Sequence, residues 1–249
     1  MAKELVRAVD AGAEMIHFDI MDGNFVSNLT WGPPMVKALR KVSDVHFDCH
    51  VQIKGAINWV DIMADAGADT FTFHLEEMYE HDSEGNEIYD EAKCNEKVFE
   101  MIHKIKTNET RKMKVGMTLR VDTPVERLKA FLDAGDVDCV MIMCIPLGFG
   151  GQPFNSDMMK KVSWLRQNYP DLDIEVDGGV GPKTVEQCAT AGANILVAGS
   201  AVYGAEDLRM PIAELIRSVE KHGNKMSEED MTPMPAPISH DKQQSTGDD

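Results

Sequence analysis

The chain of 249 residues is short of the features that define several large protein classes. Its five cysteines, Cys49, Cys94, Cys139, Cys144 and Cys188, include no C-x-x-C pair. An odd number of thiols, most of them in apolar runs, argues against a disulfide framework and for reduced core thiols in a cytoplasmic protein. No apolar run approaches the roughly 18 residues that a membrane span needs. Residues 1–10 mix charged and apolar side chains, unlike a secretory signal. Positive charge is scarce: 25 Lys and Arg face 42 Asp and Glu, a formal net charge of −17. That balance argues against nucleic acid and anionic membrane as partners, since both are polyanions. It does not exclude a small phosphorylated substrate, because a few backbone N–H groups can hold a phosphate inside an acidic protein.

What the chain does have is alternation. Short apolar runs predict strands at 15–20, 45–51, 70–75, 114–119, 139–145, 173–177 and 195–198. Several are continuous, as parallel strands buried on both faces should be. Helix patterns fall between them, at 34–41, 56–66, 95–106, 124–134, 156–167, 182–191 and 212–222. Pro124 and Pro182 sit at expected first turns, and Gly67, Gly135 and Gly192 just past expected helix ends. The tripeptide Ala-Gly-Ala recurs at 11–13, 66–68 and 191–193, each time between a helix and the next strand. This is the return of a repeating βα unit and points to a (β/α)8 barrel over residues 1–222. The strand count is seven, however, and a closed barrel needs eight. A helix at 2–10 leads straight into the first strand, so the usual first strand is missing at the front.

Two segments stand apart from this core. Residues 76–96 carry nine acids against Lys93 alone, which predicts a solvated, mobile loop insertion. From residue 223 to 249 the chain is polar and carries Pro233, Pro235 and Pro237, which predicts a disordered tail.

The chemistry-bearing residues cluster at strand ends. In His17-Phe-Asp19-Ile-Met21, alternate residues share one face of a strand, which in a barrel is the interior. A His and an Asp buried together are costly unless paired or metal-bound, so a satisfied ion pair would also account for this motif alone. Asp48-Cys-His50 repeats the pattern on the next strand, and an imidazole there suits zinc, iron or manganese. Glu175-Val-Asp177-Gly178-Gly179 ends a late strand with an acid and two glycines, which is also an ordinary turn signal. Gly148-Phe149-Gly150-Gly151 and Gly199-Ser200 follow other late strands, where phosphate sites of such barrels lie. Singly, each has a bland explanation. Two His and two Asp on the ends of three strands, beside glycine loops on the last three, converge only if the strands close into a barrel. They then make a metal site beside a phosphate site.

As a set, these segments resemble the ribulose-phosphate 3-epimerase family. The matching stretches also include Asn28-Leu-Thr-Trp-Gly-Pro33, Phe47-Asp-Cys-His50 and Ala198-Gly-Ser200, and the likeness runs from about residue 2 to 222. The resemblance implies that His17, Asp19, His50 and Asp177 hold one divalent metal ion, zinc, iron, manganese or cobalt. It implies that Asp19 and Asp177 are the catalytic acid/base pair. It assigns substrate and phosphate contacts to His50, Gly148, Phe149, Gly150, Gly151, Asp177, Gly178, Gly179, Gly199 and Ser200, and a roof over the reacting end of the sugar to Met21 and Met143. The implied activity is metal-dependent interconversion of D-ribulose 5-phosphate and D-xylulose 5-phosphate at C3 in the pentose phosphate pathway, through an enediolate, by a cytoplasmic homodimer.

The chain departs from the family in several places. The missing strand normally ends in a Pro-Ser-Ile-Leu-like motif whose Ser contacts substrate. Gln52 stands where the family has another roof methionine. Pro146-Leu147 precedes Gly148 in place of a residue followed by Pro, and Arg120 and Asp122 lie in a loop that usually carries no acid. Two other functions follow from these departures: a non-catalytic truncated paralogue or isoform that pairs with a full-length epimerase, and an epimerase for a related ketose phosphate such as allulose phosphate. A decarboxylase or aldolase of similar architecture is not expected, because no Asp-x-Lys-x-x-Asp strand occurs.

Overall fold

Side-chain parity along seven segments decides the architecture. A computed structural model describes residues 1–222, and the tail expected over 223–249 lies outside the described residues. The strands are β1 (Met15–Met21), β2 (His46–Gln52), β3 (Thr70–His74), β4 (Glu80–His81), β5 (Glu87–Ile88), β6 (Lys114–Leu119), β7 (Cys139–Met143), β8 (Asp173–Asp177) and β9 (Ile195–Val197). The helices are α1 (Ala2–Asp10), α2 (Pro33–Arg40), α3 (Val60–Ala66), α4 (Glu91–Lys106), α5 (Lys129–Asp133), α6 (Met159–Asn168), α7 (Val185–Ala191), α8 (Ser200–Tyr203) and α9 (Arg209–Lys221). All seven predicted strands are present within two residues of their expected ends. Gly67 and Gly192 cap α3 and α7 in the left-handed region, at φ 99° and 115°, where a side chain would be strained.

The seven long strands form one parallel sheet in the order β1-β2-β3-β6-β7-β8-β9. It is nearly closed into a barrel. Among the described residues β1 and β9 are its two edges, so the count of seven holds. Phe47, Cys49, Val51, Phe71, Phe73, Val115, Met117, Val140, Ile142, Ile174 and Val176 face outward into the helical layer and are buried with it. Each large side chain so placed stabilises the fold by roughly 1.5–3 kcal/mol. The alternate residues point inward, and they are mostly polar: His17, Asp19, Asp48, His50, Thr72, His74, Thr118, Glu175 and Asp177. Met141, Met143 and Ile145 form a small separate apolar cluster there. Gly116 keeps this interior passable, since a Cβ on it would meet Thr72 Oγ1 at 2.0 Å.

The acidic segment differs from its expectation as a solvated loop. Residues 75–78 form a 3-10 turn, β4 and β5 pair as an antiparallel hairpin, and α4 begins at Glu91. Composition misled because several of these acids have partners. The Asp90 carboxylate caps α4 by accepting from Lys93 N, Glu77 accepts from Gly55 N at 2.6 Å, and Glu87 pairs with Arg120. Glu76 is 1% exposed.

Candidate active site

Parallel pairing sets the site. In the register of β1 on β2, His17 lies opposite Asp48, Asp19 opposite His50 and Met21 opposite Gln52. On the far side, Met141 and Met143 lie opposite Glu175 and Asp177. One ligand atom from each of His17, Asp19, His50 and Asp177 falls within 4.8 Å of the others, so the barrel brings the four predicted metal ligands together. Thr30 fastens the end of β1, its hydroxyl donating to Asp19 O at 2.6 Å and accepting from Met21 N at 3.0 Å.

Beneath this cluster lies a second one. His17 Nδ1 is 2.5 Å from Asp48 Oδ2 and 3.4 Å from Glu175 Oε1, and Thr72 Oγ1 donates to Asp48 Oδ1 at 3.2 Å. His17, Asp48 and Glu175 could also gather round a cation by distance alone. Their atoms already satisfy one another, however, whereas His17 Nε2 is buried with no hydrogen-bond partner and lies 3.6 Å from Asp19 Oδ1. That orphaned nitrogen faces the upper cluster. A divalent ion held by His17, Asp19, His50 and Asp177 fits it, with the carboxylate of Asp48 orienting the ring from behind.

In the metal-free protein the acidities of these groups diverge. Burial works against the charge on Asp19, but the neighbouring His17 opposes it, and the carboxyl is held well below the usual range. Its side chain is 40% exposed at the mouth. Asp177 moves the other way: burial, aided by the nearby Asp19 and Asp48 charges, pushes it up to about 6. Burial lowers His50 to about 4. For His17 burial also opposes charge, but the carboxylates of Asp48, Asp19 and Glu175 win and raise it well above its ordinary value. Burial, then the Asp48 charge, pushes Glu175 up to about 8.

The raised Glu175 has a stability consequence. Its folded form keeps a proton that the unfolded chain releases near pH 4.5, so it favours the metal-free fold below that pH. The benefit is lost as pH rises from about 4.5 to about 8, at up to about 1.4 kcal/mol per pH unit. Glu175→Gln, which keeps a neutral donor there, is expected to remove this component. Urea denaturation of both metal-free proteins between pH 4.5 and 9 checks it. A stability difference that does not change with pH would mean that Glu175 is ionised throughout.

The other residues singled out in the sequence lie on or just after the strands. Met21 and Met143 are 8% and 3% exposed. Gly178 and Gly179 follow β8 with φ of 108° and 70°, and a Cβ on Gly178 would strike Ile145 at 2.6 Å. Gly199 and Ser200 follow β9, with open space where a Gly199 side chain would be. Gly148–Gly151 form the turn after β7, tied across the mouth by Asn28 Nδ2 donating to Gly148 O at 2.6 Å, and Phe149 is 57% exposed on it. Gln52, flagged as a departure, is buried and donates from Nε2 to Asp19 Oδ1 at 2.9 Å, while its Oε1 has no partner. Sequence reading assigned no role to Asp48, His74, Glu76 or Glu175, although Asp48 and Glu175 share strand parity with the predicted His50 and Asp177. All five cysteines are buried free thiols.

Comparison with known proteins identifies the family. The model of the ribulose-phosphate 3-epimerase family matches residues 1–203. The chain is 42% identical over 226 residues to a ribulose-phosphate 3-epimerase, cytoplasmic isoform, of Oryza sativa subsp. japonica, covering 90% of this chain and 91% of that one. It is 35% identical over 221 residues to the ribulose-phosphate 3-epimerase of Bacillus subtilis, covering 86% and 91%. In fold it is similar to 3-hexulose-6-phosphate synthase from Salmonella typhimurium, with a TM-score of 0.60 at 18% identity over 88% of this chain and 91% of that one. No helix among the described residues is long and apolar enough to cross a membrane. By the family model and by identity over most of its length, the chain belongs to the ribulose-phosphate 3-epimerase family.

Proposed function

We propose that this chain interconverts D-ribulose 5-phosphate and D-xylulose 5-phosphate by proton transfer at C3. The observation that carries this reading is the convergence of two carboxylates, Asp19 and Asp177, with the imidazoles of His17 and His50 from three strands in one site. Two carboxylates that meet in one site from separate strands can serve one as base and the other, once it has taken up a proton, as acid. Asp19 removes the C3 proton from one face of the sugar, and the electron pair passes toward the C2 carbonyl to give an enediolate. Asp177 delivers a proton to the opposite face, so C3 inverts. In the reverse direction the two exchange roles.

A divalent cation on His17, Asp19, His50 and Asp177 would supply Lewis acidity toward the substrate oxygens, and zinc, iron, manganese or cobalt all suit this donor set. The turn Gly148–Gly151 and the backbone of Gly178, Gly179, Gly199 and Ser200 hold the phosphate and so fix the reacting carbon in register. Met21 and Met143 offer soft apolar surface to a flattened intermediate without adding charge.

The test is to incubate the purified chain with D-ribulose 5-phosphate in D2O, with and without added divalent metal, and follow C3 by NMR. Metal-dependent deuterium entry with formation of xylulose 5-phosphate is the expected result. Among the described residues β1 and β9 are the sheet's two edges, and this favours one other reading, a non-catalytic partner of a full-length epimerase. A folded chain that gives no exchange would select it.

A further inference from the structure

The barrel interior holds a histidine that the proposed chemistry does not use. His74 ends β3, fully buried, with Nε2 at 2.7 Å from Nε2 of His50. A hydrogen bond between two imidazole nitrogens needs an N–H on one and a lone pair on the other. With one proton on each ring, the far end of the chain of contacts decides which is which. His74 Nδ1 faces Glu76 Oε2 at 3.4 Å. The other oxygen of Glu76 accepts from Arg120 N at 2.8 Å and from the Thr123 hydroxyl. Two donors converging on one carboxyl favour its ionised form, which can only accept.

The directions then follow in turn. His74 Nδ1 must carry its proton, so His74 Nε2 presents a lone pair. His50 Nε2 must donate to it, and His50 Nδ1 is left bare. That bare nitrogen faces Asp19 Oδ1 at 2.9 Å, one acceptor beside another. The Gln52 amide agrees with this, since its Nε2 lies 2.9 Å from Asp19 Oδ1 and 3.2 Å from His50 Nδ1, a donor set between two acceptors. Lys161 steadies the far end, its Nζ donating to the carbonyls of Arg120, Val121 and Thr123.

We infer that Glu76 and His74 form a positioning relay that fixes the tautomer of His50, so that its Nδ1 lone pair is presented beside Asp19 to a divalent cation. The opening residue of the acidic segment is thereby part of the active-site architecture. This rests on the reading of His50 as a metal ligand, and the experiment separates the two.

Long-range 1H–15N spectra of the metal-free wild-type protein report which nitrogen of each histidine is protonated. The expected pattern is Nε2–H on His50 and Nδ1–H on His74. A His50 ring protonated at Nδ1 overturns the relay without any variant. In Glu76→Gln, an NH2 group must face either His74 or the donors of Arg120 and Thr123. The His50 tautomers are then expected to mix, and zinc or cobalt affinity, measured by competition with a chelating dye, to weaken 10- to 100-fold. Unchanged tautomers with unchanged affinity in Glu76→Gln also overturn the relay. If instead the wild-type spectra show the expected tautomers but no divalent ion shifts the His50 signals, the metal-site reading fails while the relay stands.

Discussion

Asp177→Asn is expected to lower turnover by about 10²- to 10⁴-fold, the usual contribution of a positioned acid or base. The magnitude alone would not identify its role, because Asp177 also faces the cation site. The direction of the residual chemistry would. Asp19 and Asp177 stand on β1 and β8, two strands that do not pair with each other. If each serves one face of the sugar, the variant keeps the group that removes the C3 proton of one epimer and lacks the group that removes it from the other. At saturating metal, Asp177→Asn should therefore wash deuterium into one epimer without converting it, and leave the other untouched. Asp19→Asn should show the opposite preference with a similar loss. Both can be read by NMR with each epimer supplied separately. Equal exchange from both epimers, or turnover above a tenth of wild type, would remove Asp177 from the proton transfer.

The likeness of the two substitutions to their parents makes them fair tests. Asn keeps the shape of Asp, so the amide oxygen can still face the cation while the proton-accepting oxygen is lost. A melting curve that matches the wild type separates loss of chemistry from loss of fold.

Much of this site was legible in the chain because strand parity is a strict rule. His17, Asp19 and Met21 could be placed on one face from their spacing alone, and the register shows them there opposite Asp48, His50 and Gln52. The helix caps at Gly67 and Gly192 were equally legible, since only a residue without Cβ sits easily at positive φ. His74 was not. It closes the run Thr-Phe-Thr-Phe-His, which reads as a fully buried strand with no ligand signature. The available signal was parity again: His74 shares the inward face with Thr72, which donates to Asp48. Glu76 was hidden by company, the first acid of a segment whose composition reads as solvent-facing. Its burial depends on Thr123 and the Arg120 amide, 47 and 44 residues away, and no local pattern reports such a contact. The hairpin of β4 and β5 had a visible turn, in which Asp82 accepts from the amides of Glu84 and Asn86 ahead of Gly85 and the segment that follows. The weight of like charge obscured it.

Metal affinity should rise steeply with pH, because protons occupy the ligands that a cation needs. In the metal-free protein the carboxylates around His17 hold its proton well above the ordinary imidazole range, and Asp177 keeps one up to about 6. A ligating nitrogen must offer a lone pair and a ligating carboxyl must be ionised, so binding displaces both. Above about pH 6, where Asp177 is already ionised, the logarithm of the zinc or cobalt binding constant should climb by about one per pH unit until His17 itself loses its proton. Below about 6 the slope should approach two, and by pH 5 the affinity should be at least tenfold lower than at pH 6. Asp19 adds nothing to the slope there, since it stays ionised far below this range. Competition titrations from pH 5 to 9 give the slope. Calorimetry in two buffers of different ionisation enthalpy gives the number of protons released. His17→Gln should lose one proton from that count as well as binding more weakly. A binding constant that is flat with pH above 6 would show that His17 enters the site already neutral, and Asp48 would then be accepting a hydrogen bond from its Nδ1–H instead of stabilising an imidazolium.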